Sequence, residues 1–68
     1  MKAYFTGLKN GFTATKTCKS LHQAKMWATR IGTYDAGSIL LEIDGETHRR
    51  QLIERGRTFS WSAWERVA

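Results

Sequence analysis

Residues 20–32 constrain the fold most, because they are the only stretch of the sequence with clear helical periodicity. A stripe of apolar side chains recurs there at three- and four-residue spacing: Leu21, Ala24, Trp27, Ala28 and Ile31. On a helix with 3.6 residues per turn this spacing places them on one face. One face of about three turns therefore has to be buried, and we expect the strands on either side to bury it.

Both ends of the predicted helix carry capping signals. Ser20 can accept hydrogen bonds from the first-turn amides, and Gln23 can reach back to the Ser20 amide in a capping box. Gly32 can adopt the left-handed conformation that closes many helices. The opposite face is polar and should point away from the sheet; it holds His22, Gln23, Met26, Arg30 and, at its edge, Lys25.

The length of the chain limits it to one domain with a small core. With 68 residues, folding buries only about 60% of the surface that the unfolded chain exposes, so one helix on one sheet is about what it can build. Its apolar content of 41%, including three tryptophans, suffices for such a core. Cys18 is the single cysteine, so no internal disulfide can form. We expect a cytoplasmic protein without a signal peptide or a membrane segment.

Positive charge is concentrated in the first half of the chain. The whole sequence carries +5, whereas residues 1–34 carry +6 and contain no acidic residue. Such an asymmetry indicates a polyanionic partner, either nucleic acid or an acidic protein surface. The alternative is a solvated surface that is merely basic.

The flanking segments predict strands. Residues 2–9 alternate, and Asn10-Gly11 predicts a two-residue type I′ turn that returns the chain as a threonine-rich strand over 12–18. This register opposes Phe5 to Lys16 and Ala3 to Cys18. The predicted core face holds Ala3, Phe5, Gly7, Phe12, Ala14 and Cys18, and the other face holds Tyr4, Thr6, Leu8, Thr13, Thr15 and Thr17.

The second half of the chain predicts three more strands after a turn-rich connection at 33–37. A half-buried strand over 39–43 leads into a type I′ turn at Asp44-Gly45, and a weaker turn at Arg55-Gly56 separates strands over 46–54 and 57–64. Both turn registers place the same apolar set on one face: Ile39, Leu41, Ile43, Leu52, Phe59, Trp61 and Ala63. His48 and Arg50 fall on that face too, so they must lie at its rim or be paired.

The predicted fold class is therefore α+β, with the order β-β-α-β-β-β and one helix packed on one face of an antiparallel sheet. The alternative is a helix over 47–55, which has a possible cap in Thr47 but too few apolar positions.

Catalysis finds little support in the sequence. The sequence contains two histidines and one cysteine but no glycine-rich phosphate loop. The spacing of His22 and His48 gives no reason to expect them close together in the fold. Cys18 and His22 would share a helix face only if the helix began early, and two ligands do not make a zinc site. We predict a protein that is not an enzyme and has no cofactor or metal, with Cys18 as a small core residue.

Two surfaces are candidates for binding. The first is the outer helix face with its approach: Lys16, Lys19, His22, Lys25, Met26 and Arg30. No acid lies four residues after Lys25 or Arg30 to neutralise it, although a solvated amphipathic face is the commoner explanation.

The second candidate is the sheet face away from the helix. We predict that it holds Tyr4, Thr6, Leu8, Leu40, Arg49, Gln51, Ile53, Ser60, Ser62 and Trp64. Aromatic and basic groups on an open sheet can stack bases and hold phosphates. The alternative is a threonine-rich face on which Tyr4 and Trp64 simply pack against neighbours.

A few residues also match a known family. They are the opening Met1-Lys2-Ala3, the helix start Ser20-Leu21 with Gln23-Ala24-Lys25, Ala28, and Arg30 where that family has a lysine. With this element order, the chain resembles the short type I-F anti-CRISPR proteins of phages. The resemblance implies binding to the backbone subunits of a CRISPR surveillance complex, which blocks target DNA from pairing with the guide RNA. It implicates Lys25 and Arg30, whereas Met26 stands where the family has a basic residue.

Our hypothesis from the sequence is a non-catalytic phage-type inhibitor in the host cytoplasm, acting through Lys19, Lys25 and Arg30 on the nucleic-acid path of a host complex. One alternative is a stand-alone DNA- or RNA-binding protein that uses the basic helix face or the open sheet face. Another is a structural protein that binds an acidic partner surface.

Overall fold

The computed structural model describes residues 1–32 and 36–68 and confirms the α+β class. One helix, α1 (Leu21–Ile31), follows two strands and precedes five more. The strands are β1 (Lys2–Gly7), β2 (Thr13–Thr17), β3 (Ile39–Ile43), β4 (Glu46–Arg50), β5 (Leu52–Arg55), β6 (Thr58–Trp61) and β7 (Glu65–Arg66). The connection predicted at 33–37 begins with three residues that lie outside the described part of the chain.

Five strands form the main antiparallel sheet in the order β2-β1-β3-β4-β7, and β5 and β6 form a separate two-stranded ribbon. The core lies between α1 and one face of the main sheet. Its buried members are Ala3, Phe5, Cys18, Ala24, Ala28, Ala36, Ile39, Leu41 and Ile43. Leu21, Trp27 and Ile31 are half-buried and pack against this core. The apolar stripe predicted on the helix is therefore confirmed.

The helix caps are partly as predicted. Ser20 Oγ accepts from the Gln23 amide at 3.1 Å, but Gln23 Oε1 accepts from the Lys19 amide at 2.7 Å rather than from that of Ser20. Gly32 has φ −71° and ψ 127°, so the predicted left-handed closure is wrong. A Cβ at Gly32 would lie 3.0 Å from the Ala28 carbonyl oxygen, so close packing rather than φ favours glycine there.

The first hairpin has a longer loop than predicted. Gly7 donates to the Phe12 carbonyl at 2.8 Å and Gly11 donates to the Gly7 carbonyl at 3.0 Å. Gly11 has a positive φ of 71°, whereas Asn10 does not have the positive φ of a type I′ turn. The predicted two-residue turn at Asn10-Gly11 is therefore wrong.

The reason lies on the other side of β1. The amides of Leu8 and Lys9 donate to the carbonyls of Ser38 and Ala36, each at 2.9 Å. The chain therefore stays paired with the residues that precede β3 for two residues beyond β1, and it turns only after them. The register shifts by two residues, which opposes Phe5 to Ala14. A shift of two preserves the side-chain faces, so the predicted core face is correct except at Phe12, which lies just before β2 and is 51% exposed.

The second hairpin is confirmed. Asp44 and Gly45 have φ values of 53° and 78°, as a type I′ turn requires. β3 and β4 pair with Ile39 opposite Arg50, Leu41 opposite His48 and Ile43 opposite Glu46. The alternative helix over 47–55 is excluded, since this segment forms two strands.

The third hairpin departs from the prediction. Arg55 pairs with Thr58 and Leu52 pairs with Trp61, so the loop is Gly56-Arg57 rather than Arg55-Gly56. The predicted single strand over 46–54 is interrupted at Gln51, whose amide donates to Ser62 Oγ at 2.9 Å and whose carbonyl accepts from the Ser62 amide at 2.9 Å. These bonds close the base of the ribbon. The free edge of β4 pairs with β7 instead of with a strand of the ribbon.

The core placement predicted for the last strand is accordingly only partly correct. Trp61 is half-buried against the core, as predicted. Phe59 is 50% exposed and Ala63 is exposed. The reason is that the ribbon leaves the main sheet, so its apolar face extends beyond the area that α1 covers.

Candidate functional site

The outer face of α1 is fixed by the phase of the helix. Because Ala24 and Ala28 are fully buried, the opposite side must point away from the sheet. His22 and Arg30 are exposed, Met26 is 52% exposed, and Lys25 is half-buried at the edge of the face. This placement agrees with the sequence prediction.

An open groove of about 690 Å³ runs along one side of this face, between the end of β2 and α1. It is lined by Lys16, Thr17, Cys18, Lys19, Ser20, His22, Gln23, Met26, Trp27 and Arg30. We call it the helix–β2 groove. Trp27 is half-buried there and packs edge-on against Phe5, with ring centroids 6.3 Å apart.

A second groove of about 420 Å³ runs along the other side of the helix face. It is lined by His22, Lys25, Met26, Thr29, Arg30, Arg50 and Trp64, and we call it the helix–Trp64 groove. The two grooves share His22, Met26 and Arg30, so they flank one helix ridge. Together they form what we call the basic helix surface. Each groove thus combines cations with one tryptophan.

Arg50 holds the second groove together. Its Nη1 donates to Thr29 Oγ1 at 2.9 Å, and its Nε donates to the Ser62 carbonyl at 2.7 Å. The guanidinium carbon lies 5.7 Å from the Trp61 ring centroid and 5.9 Å from that of Trp64. A planar cation with several donors can satisfy such a set simultaneously. Arg50 therefore links the helix to the chain segment that follows the ribbon.

Trp64 is not where the sequence predicted it. The prediction placed it on the open sheet face, whereas it is half-buried beside Arg50 in the helix–Trp64 groove. The prediction assumes one continuous strand, but the chain leaves the main sheet at Gln51 and returns only after Ser62. The placement is wrong for that reason. A role of Trp64 in binding stays a prediction, and it now concerns the basic helix surface instead of the open sheet face.

The cations of the basic helix surface are not neutralised by carboxylates. No Asp or Glu lines either groove within the described residues. The two salt bridges found in residues 1–32 and 36–68 join Arg49 to Glu65 and Arg66 to Glu46. Neither involves the five cations of this surface, which are Lys16, Lys19, Lys25, Arg30 and Arg50. Their positive potential is therefore available to a partner.

The open sheet face is different in charge. Tyr4 is 47% exposed, with the Lys2 Nζ 5.6 Å from its ring centroid, and it lies directly opposite Glu42 of β3. A cleft of about 170 Å³ beside it includes Glu42, Asp44 and Glu46 in its lining. Carboxylates beside an aromatic residue repel phosphates.

The remaining members of the predicted open face divide into those that lie on the main sheet and those that lie on the ribbon or at its base. Arg49 stays there and donates from Nε to Glu65 at 3.1 Å, so its charge is compensated. Thr6, Leu8 and Leu40 lie along β1, its continuation and β3. Gln51, Ile53, Ser60 and Ser62 belong to the ribbon or its base rather than to the main sheet, so their predicted placement is wrong.

His48 lies beneath the basic helix surface on the core side of β4. It is 5% exposed, and its Nε2 is buried without a hydrogen-bond partner among the described residues. Burial lowers the pKa of His48, and the nearby Lys25 lowers it further; Arg66 acts in the same direction, against an opposing effect of Glu46. His48 is therefore neutral at pH 7, and the prediction that it would be paired or at the rim does not hold.

Sequence reasoning missed the parts of the site that depend on the ribbon. Thr29 and Arg50 were not among the predicted site residues, although both line the helix–Trp64 groove. A signal existed for Arg50, since the β3–β4 register placed a charged residue on the core face. Its partners could not be found because they are distant in sequence: Thr29 lies on α1, and Trp61, Ser62 and Trp64 lie at the end of the ribbon or after it.

Neither a metal-ligand cluster nor a membrane-spanning helix is found among the described residues. In residues 1–32 and 36–68, no three His, Cys, Asp or Glu side chains come close enough together to hold a metal ion. Cys18 is buried in the core, as predicted. No helix in the described ranges is long and apolar enough to cross a membrane. No protein-family model, no curated protein and no solved structure matches the chain.

Proposed function

We propose that this protein is a non-catalytic binder of nucleic acid that holds phosphates along the basic helix surface. The observation that carries the proposal is the distribution of charge. Lys16, Lys19, Lys25 and Arg30 border two open grooves without a lining carboxylate. The cations that do have carboxylate partners, Arg49 and Arg66, lie elsewhere.

The spacing of these cations suits a phosphate backbone. A helix rises 1.5 Å per residue, so the 11 residues of α1 span about 16 Å along the helix axis. Along the axis of a duplex, the phosphates of one strand advance by about 3.4 Å each. The surface can therefore face about four or five phosphates of one strand.

The groove aromatics add a contact that does not depend on charge. Trp27 and Trp64 each line one groove, and Met26 projects between them with half of its surface exposed. Indole rings beside cations favour sugars and bases as well as phosphates. Such a surface would bind without strong sequence preference, because no described feature reads a particular base edge.

Salt dependence tests the proposal. Release of counterions from four or five phosphates predicts a log–log slope of about −4 for duplex DNA. The measurement is the dissociation constant of a fluorescent duplex, and of the corresponding single strand, at several salt concentrations. A slope near zero, or no binding to either probe at low salt, would contradict the proposal.

A matched pair of variants locates the interface. Lys25→Glu/Arg30→Glu should weaken binding by about a thousandfold, since two attractive contacts become repulsive. Arg55→Glu/Arg57→Glu makes the same change of net charge on the exposed ribbon and should weaken binding far less. Equal losses in both variants would mean that only the total charge matters. Circular dichroism and thermal melting check that both variants fold.

A second candidate is the phage-type inhibitor of a CRISPR surveillance complex. It is favoured by one observation: the two residues that the anti-CRISPR resemblance implicates, Lys25 and Arg30, both lie on the basic helix surface without a carboxylate partner among the described residues. In that case the protein should bind a purified type I-F surveillance complex tightly and free DNA weakly. Tight complex binding that survives Lys25→Glu/Arg30→Glu would reject this site.

A further inference from the structure

The two edges of the main sheet are not equally protected. One edge is β7, which has only the two residues Glu65 and Arg66, both of them in salt bridges. The other edge is β2, which has five residues, no proline and three threonines. Short edges in which every residue is charged resist further strand pairing, whereas longer edges with few charges permit it. β2 is thus the open edge of this sheet.

The free hydrogen-bonding groups of β2 follow from its register. Met1 and Cys18 exchange two backbone bonds, of 3.0 and 2.7 Å, and Gly7 donates to Phe12 at 2.8 Å. Hydrogen-bonded pairs alternate along an antiparallel ladder, so Lys16 and Ala14 also direct their backbone groups at β1.

The three threonines between these residues therefore direct their amides and carbonyls away from β1. Thr13, Thr15 and Thr17 are all exposed. Within residues 1–32 and 36–68, β1 is the only strand that pairs with β2. About 14 Å of unpaired edge results, since four steps of 3.4 Å separate Thr13 from Thr17.

We propose that a second copy of this chain occupies this edge, with the two β2 strands antiparallel and Thr15 facing Thr15 of the second copy. This register opposes Thr13 to Thr17 and Ala14 to Lys16, so that all five residues of each strand are paired. It forms about six backbone hydrogen bonds and joins the two main sheets into one. The inference does not depend on the proposed function.

Charge selects this register over its neighbours. Lys16 is the one charged residue of β2, and in the proposed register it faces a small alanine. A shift of two residues in one direction would place Lys16 opposite Lys16, and like charges directly opposite each other are destabilising. A shift of two residues in the other direction would leave the ends of both strands unpaired. A two-fold contact requires a self-complementary patch, and β2 meets that requirement.

An exposed aromatic residue supports the same arrangement. Phe12 immediately precedes β2, is 51% exposed and contacts Phe5 edge-on at 6.1 Å. The proposed register continues to Phe12 opposite Cys18 of the second copy, which lines the helix–β2 groove. Pairing would remove apolar ring surface from water at this position. It would also place both basic helix surfaces on the same side of the joined sheet.

Sedimentation velocity on the full chain tests this proposal. From about 10 µM to about 1 mM, the mass should rise from 7.8 kDa toward twice that value, since dimer formation depends on concentration. Thr15→Pro removes an outward amide that the monomer does not use, so it should weaken dimerisation at least tenfold. Its thermal melting, measured in the dilute monomer, should be nearly unchanged.

Two further variants test the register. Thr15→Glu places two carboxylates opposite each other across the two-fold axis, whereas Thr13→Glu places its carboxylate opposite Thr17. Both variants have the same net charge, and Thr15→Glu should weaken dimerisation about tenfold more. A chain that stays monomeric at every concentration would overturn the proposal. The β2 edge would then pair with another protein or remain unpaired. A dimer that Thr15→Pro leaves unchanged would overturn it in favour of a different surface.

Discussion

Arg49 and Arg50 are adjacent in the sequence, yet they behave differently because they lie on opposite faces of β4. Arg49 points to the open face, where Glu65 on the neighbouring strand neutralises it. Arg50 points to the helix side, where it is held by Thr29, the Ser62 carbonyl and two indole rings. One arginine is part of a surface ion pair, whereas the other organises a groove.

The same difference distinguishes the two faces as a whole. On the open face, Tyr4 has Glu42 directly opposite and Asp44 nearby. On the helix side, Lys16, Lys19, Lys25 and Arg30 border grooves that contain no described carboxylate. The two faces therefore differ in the positions of their acidic residues. This difference is the basis of the polyanion site that we propose on the helix side.

The largest expected effect concerns the aromatic residues of the two faces. Trp27→Ala should reduce the free energy of unfolding by about 3 kcal/mol, because the ring packs against Phe5 and the core. Tyr4→Ala should reduce it by less than about 1 kcal/mol, since Tyr4 is half exposed on an open sheet. Urea denaturation of both variants measures the contrast. Similar values would mean that the helix side does not hold the main core.

The second comparison uses the adjacent arginines. Arg50→Ala should destabilise the fold by about 2 kcal/mol, because it removes two part-buried hydrogen bonds and two cation–π contacts. Arg49→Ala should cost no more than about 1 kcal/mol, as expected for an exposed ion pair.

Fluorescence quenching by acrylamide adds a readout specific to the groove. In Arg50→Ala, tryptophan emission should become more accessible because Trp64 loses its neighbour, while in Arg49→Ala it should not change. Arg50→Lys retains the charge but not the planar fork of donors, and its quenching should resemble that of Arg50→Ala. Unchanged quenching in both Arg50 variants would show that Arg50 does not position Trp64.

A smaller effect is expected from pH. The folded state lowers the pKa of His48, through burial first and Lys25 second, so the unfolded chain binds a proton more readily. Stability should then be fully present above the unfolded pKa of about 6.5 and should decline as the pH falls below it. His48→Gln should flatten this decline between about pH 7.5 and 5. An equally steep decline in His48→Gln would assign the pH dependence to other groups.

The sequence predicted the parts of the fold that depend on local pattern. The helix stripe, the Asp44-Gly45 turn and the β3–β4 register follow from periodicity and turn chemistry, and all three are present. The first hairpin had the wrong loop because the amides of Leu8 and Lys9 bond to residues distant in sequence. A local sequence pattern cannot show that these amides bond to distant residues instead of closing a two-residue turn.

The candidate site divides in the same way. The outer helix face was predictable, since helix phase alone determines which side chains point outward. The helix–Trp64 groove was not, because it requires the chain to leave the sheet at Gln51 and return after Ser62. Trp64 was therefore assigned to the open face, and Arg50 was recognised only as a charge in need of a partner.

The most direct test of the central claim compares the salt dependence of nucleic-acid binding for the two faces. Lys19→Ala/Arg30→Ala and Lys2→Ala/Arg49→Ala remove the same charge, and the slope of log affinity against log salt should be measured for both with one duplex probe. We expect the helix-face variant to lose nearly two units of slope, about 0.9 for each phosphate contact, and the open-face variant to match the unchanged protein. Equal slopes for the two variants would contradict the account.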